Sequence, residues 1–335
     1  MIVTGPEVLL VLVLEAMASL AGPPARTLAS CEEATIGFHT ATLERLVSDP
    51  AGVLADEDGF WESEPPQRYT RMWAEGTGID IPYGEWREQV AALSRLSDVE
   101  RRNHPLTRMA REIADGGEEF LARAVPHICA YLPDGANLDI GIHFTAYVPP
   151  RSFVAGEVVI NVSADYWQGD VEHILNSIVH ELFHVGYSKA REHRTEPRLN
   201  DERLYGMLDA LHNEGMATYV GYEAQSLFPA PGERDYPMLD DPSAVRRLRA
   251  LLNDLFAQVD RARPEQIDRW SWARGVTMRG YYVVGAHMAR TIERERGREA
   301  LIGTIAQGPV AFVRAYNALV SSDERIVVPG VTDGS

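Results

Sequence analysis

The period of the apolar positions changes along the chain, and the changes mark out its elements. From residue 1 to about 132 the apolar residues recur every three or four positions. This predicts helices near 5–20, 40–48, 83–96 and 117–131, separated by acidic or Gly/Pro-rich loops such as Ala55-Asp56-Glu57-Asp58-Gly59. The first of these contains a continuous apolar run from Val8 to Leu14. Thr4-Gly5-Pro6-Glu7 ahead of it offers a Thr cap, an early Pro and a Glu three residues on, the start of a buried helix. At Asn137 the pattern changes. Leu138 to Tyr147 alternates and predicts a strand, Val158 to Val162 predicts a second, and Pro149-Pro150 and Gly156 mark the connection. Asp170 then caps a helix running to about Lys189.

Residues 188–203 are highly charged and include Pro197, which predicts a solvated loop or lid. Helices follow at about Leu204 to Leu227, from Asp241-Pro242 to Val259, from Trp272 to Arg296, and near 298–306 and 309–320, with a frayed end of about ten residues. The fold class is α+β and mostly α-helical. A helical N-terminal region (1–134) precedes a central segment with the small sheet (135–230), a helical C-terminal region packed on it (231–322) and a flexible tail (323–335).

The 335 residues are 45% apolar and 24% charged, as in an ordinary globular protein with a substantial core. A formal charge of −17 and the lack of any dense basic run argue against a nucleic-acid groove. Cys31 and Cys129 could form one bridge but no disulfide framework, and free buried thiols are the simpler expectation. No Lys or Arg precedes the Val8–Leu14 run, and Glu7 and Glu15 flank it, which favours a cytoplasmic chain over one exported by an atypical signal peptide at 1–21. No stretch reaches the ~18 apolar residues of a membrane span. Trp61, Trp73 and Trp86 fit packing roles, and His104 and His127 have no partner at ligand spacing.

His180-Glu181-Leu182-Phe183-His184 changes the picture. Two histidines four apart project from one helical face about a turn apart, where they can share one Zn²⁺, and Glu181 stands beside the metal as a proton acceptor. His173, two turns earlier, is too far along the axis to join them. A catalytic zinc takes a third protein ligand and leaves the fourth position to water. The metzincin pattern is excluded, because Tyr187 and Ala190 stand where it needs Gly and His.

Downstream, His212-Asn213-Glu214-Gly215-Met216-Ala217-Thr218-Tyr219 resembles the third-ligand helix of gluzincins, particularly the aminopeptidase branch. The resemblance implies a His180-His184-Glu214 zinc site, with Asp209 and Asp201 as competing ligands. Thr218 stands where some gluzincins place an Asp behind a ligand histidine, which leaves open what orients that ring. A short sheet just before a His-Glu-x-x-His helix is likewise similar to the zincin layout. Together with Gly280-Tyr281-Tyr282-Val283-Val284-Gly285-Ala286-His287 and Gly297-Arg298-Glu299-Ala300-Leu301, these segments resemble a group of uncharacterised bacterial zinc-dependent peptidases over roughly residues 135–320.

Such a site needs a donor for the oxyanion of the tetrahedral intermediate. Tyr281 and Tyr282 are about 100° apart on a helix, so only one can face the metal. The Tyr-x-x-Gly spacing favours Tyr282, and His287 is a further candidate. The expected function is a zinc peptidase acting on a peptide or protein substrate with Glu181 as general base. The alternatives are a catalytically inactive zinc-bearing scaffold and a metal-free helical interaction protein.

Overall fold

The computed structural model describes residues 8–12, 34–63, 83–148, 152–154, 157–192 and 201–331. Its strands are β1 (Val8–Leu12), β2 (Ala34–His39), β3 (Leu138–Thr145), β4 (Ser152–Val154) and β5 (Val158–Asn161). They form one mixed sheet in the order β1-β2-β3-β5-β4. β2, β3 and β5 run parallel, with Ile36 opposite Ile140 and Ile142 opposite Val158. β1 and β4 are antiparallel to their neighbours, and β4 forms one edge. Parallel strands need crossover connections, and helices supply the one between β2 and β3.

That crossover contains α1 (Ala41–Ser48), α2 (Pro50–Ala55), α3 (Glu57–Glu62), α4 (Tyr83–Ser94), α5 (Asp98–Asn103) and α6 (Pro105–Cys129). Then come α7 (Val171–Arg191), α8 (Glu202–Glu223), α9 (Asp235–Leu239), α10 (Pro242–Ala257) and α11 (Pro264–Ser271). The C-terminal helices are α12 (Gly280–Arg296), α13 (Arg298–Gln307) and α14 (Pro309–Asn317). The sheet's apolar face meets α6 through Phe38, whose ring lies 4.7 Å from Phe144 and 6.3 Å from Phe120. Trp86 is fully buried, with Trp61 packed 4.9 Å from it; Trp73 lies outside the described residues. No helix of the described residues is long and apolar enough to cross a membrane.

Several expectations are corrected. Val8–Leu12 is a strand rather than part of a helix, with Val8 opposite Phe38; the rest of 5–20 lies outside the described residues. A continuous aliphatic run has no period of its own, so only its pairing partner decides between helix and strand. Cys129 is disulfide-bonded, not a free thiol. β2 and the three-residue β4 add strands that the sequence pattern does not announce. α6 starts at Pro105, so Gly116-Gly117 falls inside it. There a Cβ on Gly117 would lie 2.7 Å from the Phe38 ring, and the glycine lets sheet and helix close up.

The long helix expected over 272–296 is broken. Trp272–Thr277 is a π-helical turn, Arg279 has φ +67°, and α12 begins only at Gly280. At the end of the chain Ile326 and Val328 are buried, and the Asn317 side chain bonds the Ile326 backbone N–H and C=O, each at 2.9 Å. Helix α7 runs on to Arg191, and 193–200 of the predicted charged loop lie outside the described residues.

Candidate metal centre

α7 is fixed at both ends before it presents any chemistry. The Asp170 side chain caps it through the N–H groups of Glu172 (3.0 Å) and His173 (3.4 Å). One turn in, the buried Asn176 amide donates to the carbonyls of Gly221 (2.9 Å) and Phe228 (3.0 Å), and its oxygen accepts from the Tyr236 hydroxyl at 2.6 Å. At the far end Lys189 Nζ donates to the Asp139 carbonyl at 2.9 Å. His173 is buried against the rings of Tyr166 and Trp167, a packing role.

In the middle of α7 the Nε2 atoms of His180 and His184 lie 3.0 Å apart. Glu214 Oε2, from α8, is 3.5 Å from the first and 3.4 Å from the second. Among the described residues this is the one group of three or more His, Cys, Asp or Glu side chains drawn close enough to hold a metal ion, its donor atoms all within 4.8 Å of one another. The competing acids are engaged elsewhere. Asp209 pairs with Arg191 at 2.5 Å and accepts from the Tyr187 hydroxyl, and Asp201 caps α8 through Leu204 N–H at 2.9 Å.

Two imidazoles and one carboxylate fit a divalent zinc ion. The electrostatics of the trio agree. Burial would lower the His184 pKa, but Glu214 and Glu181 raise it to about 9. Burial would raise that of Glu214, but His184 and His180 hold it well below the usual carboxylate range. The pocket therefore favours added positive charge at its centre, which a divalent cation would supply. The donors are not sealed in: the side chains of His180, His184 and Glu214 remain 18%, 12% and 27% exposed, so one side stays open.

Asn213, inside the His212–Tyr219 segment but with no role implied by it, is a further residue of the site. Its Oδ1 accepts from His184 Nδ1 at 2.9 Å, which turns Nε2 toward the centre. Thr218 is buried and its hydroxyl has no partner among the described residues, so no orienting contact comes from it. The only hint of Asn213 in the sequence is its place beside Glu214.

Glu181 is buried beside the trio, and its Oε1 accepts from the Ser152 hydroxyl of edge strand β4 at 2.8 Å. The two tyrosines separate. Tyr281 is buried with its hydroxyl bonded to Ser271 at 2.7 Å, away from the metal ligands. The Tyr282 ring instead lies parallel to that of His180, 12° between planes and 6.3 Å between centroids. Burial, together with Glu214, pushes the Tyr282 hydroxyl well above the usual tyrosine pKa. His287 points the other way, its ring 6.0 Å from that of Tyr316.

No curated protein and no solved structure matches the chain. A family model does, over residues 75–325, well beyond half the chain, and this span contains every residue of the trio. By that match the chain belongs to the family described as "putative zinc dependent peptidase (DUF5700)".

Proposed function

We propose that the protein is a gluzincin-like zinc metallopeptidase with a zincin-like core, hydrolysing peptide bonds in peptide or protein substrates. The observation that carries this reading is Glu181, a carboxylate beside but not within the His180-His184-Glu214 trio. A structural metal site closes its fourth position with protein and needs no such group. When bound, zinc supplies Lewis acidity that polarises a carbonyl and makes water acidic near neutral pH.

The rest is done by the chain's own side chains. His180, His184 and Glu214 hold the metal. Asn213 holds the proton of His184 on Nδ1, so that Nε2 remains a donor. Glu181 takes the proton of the attacking water and passes it to the leaving amine. Its Oε1 is anchored by Ser152, leaving Oε2 for that proton. Tyr282 keeps its hydroxyl proton, because burial and Glu214 raise its pKa, and donates it as a hydrogen bond to the developing oxyanion.

The test is Glu181→Gln assayed on a peptide library, with zinc measured on the same samples. Turnover should fall by roughly 10²- to 10⁴-fold with zinc retained, the range for a lost general base. Full turnover in the zinc-loaded variant would overturn the mechanism. A wild-type protein that binds zinc and cleaves nothing would point to a zinc-bearing scaffold instead.

A further inference from the structure

Arg279 stands between the π-helical turn and α12, and three of its features do not fit an ordinary helix start. Its φ of +67° lies in the left-handed region, which costs any residue but glycine conformational energy. It is 7% exposed although charged. Its guanidinium also makes forked bonds to Asp235, a carboxylate of α9 that is itself 1% exposed: Nε to Oδ1 at 2.9 Å and to Oδ2 at 3.0 Å, and Nη2 to Oδ2 at 2.5 Å. Helix initiation alone asks for none of this. Glycine at 279 would relieve the backbone, and a buried ion pair is weak evidence of added stability.

The arrangement does fix one plane. The fork to Asp235 sets the orientation of the flat guanidinium, whose Cζ lies 3.1 Å from the centroid of the Tyr282 ring. On that ring's other neighbour, His180, the planes are nearly parallel. The adjacent Tyr281, about 100° round the helix, is held elsewhere by Ser271.

We propose that Arg279, oriented by Asp235, is a positioning residue that holds the Tyr282 ring beside His180 at the metal centre. This rests on the reading of Tyr282 as the oxyanion donor. The backbone strain and the buried charge then serve the geometry of the site.

Two arms test it. In kinetics, Arg279→Lys keeps the charge but loses the fork and the flat face. It should retain wild-type zinc, lower kcat by about 10-fold or more and leave KM within about twofold. In a Tyr282→Phe background the same change should alter kcat by less than about twofold, because Arg279 acts through the ring. Losses of equal size in both backgrounds, or a loss carried by KM, would overturn the proposal.

Asp235→Asn, which keeps the shape of the carboxylate, should lower kcat in the same pattern, and it serves if Arg279→Lys does not fold. Arg274→Gln removes a neighbouring arginine paired with Asp254 and should leave kcat unchanged. The second arm needs no turnover. In a crystal structure of zinc-free Arg279→Lys, the Tyr282 ring should leave its place beside His180, and a ring in the wild-type position would refute the clamp. If the wild type cleaves no peptide, the peptidase reading fails while this arm still decides the clamp.

Discussion

Helix α8 meets two neighbours, α7 and α12, through three consecutive residues that do opposite kinds of work. Toward α7 it offers Asn213 and Glu214, whose side-chain oxygens reach His184 and His180 across 2.9–3.5 Å. Toward α12 it offers Gly215, where a Cβ would lie 2.3 Å from the Gly285 Cα. One interface is made of side-chain chemistry and the other of bare backbone. The second allows the first: with α12 drawn against α8 at two glycines, Tyr282 sits three residues before Gly285 and arrives beside His180.

The largest effect should follow from filling the glycine contact. A Cβ on Gly285 would meet the Leu211 carbonyl oxygen at 2.2 Å and the Gly215 Cα at 2.6 Å, backbone atoms that no rotamer change can move. Gly285→Ala should cost about 3 kcal/mol, at the upper end of overpacking, read from urea denaturation of the zinc-free protein. Unchanged stability would mean that α8 and α12 are not in backbone contact.

The other interface should answer differently. Asn213→Ala should leave folding nearly intact and weaken zinc binding by roughly 10- to 100-fold, the range for losing an orienting hydrogen bond behind a ligand. Competition with a chromophoric chelator measures it. Equal affinity would remove Asn213 from the site.

The smallest effect lies on the side of α12 turned from α8. Burial first, then Arg290 and Arg249, push the His287 pKa down to about 4; Glu324 opposes them and Arg294 adds to them. In the unfolded chain its value is about 6.5. The folded state is therefore the weaker proton binder, and this stability, full above about pH 6.5, is lost as pH falls toward 4. His287→Gln should flatten that loss by on the order of 1–2 kcal/mol after allowance for partial exposure. Urea midpoints at pH 7 and pH 4.5 give the comparison, and parallel losses in both proteins would contradict it.

The two interfaces also differ in how far the sequence announces them. His180 and His184 are spaced by helix geometry and stand out before any coordinates exist, Glu214 is implied only by the resemblance of its segment to a gluzincin third-ligand helix, and the structure brings those three together. Gly215 and Gly285 appear in the same motifs, but nothing in a one-dimensional pattern says that two glycines 70 positions apart touch. Arg279 is less legible still: a left-handed arginine gives no compositional signal, and its partner Asp235 lies 44 residues away. The sheet shows the same limit. β3 and β5 alternate or run apolar in recognisable lengths, whereas β1, β2 and the three-residue β4 are decided by what they pair with.

The measurement that tests the central claim most directly is zinc stoichiometry by elemental analysis, on purified wild type and Glu214→Ala side by side. The trio predicts about one zinc per chain in the wild type and a marked loss in the variant. No zinc in the wild type after reconstitution, or zinc held as tightly by Glu214→Ala, would contradict it.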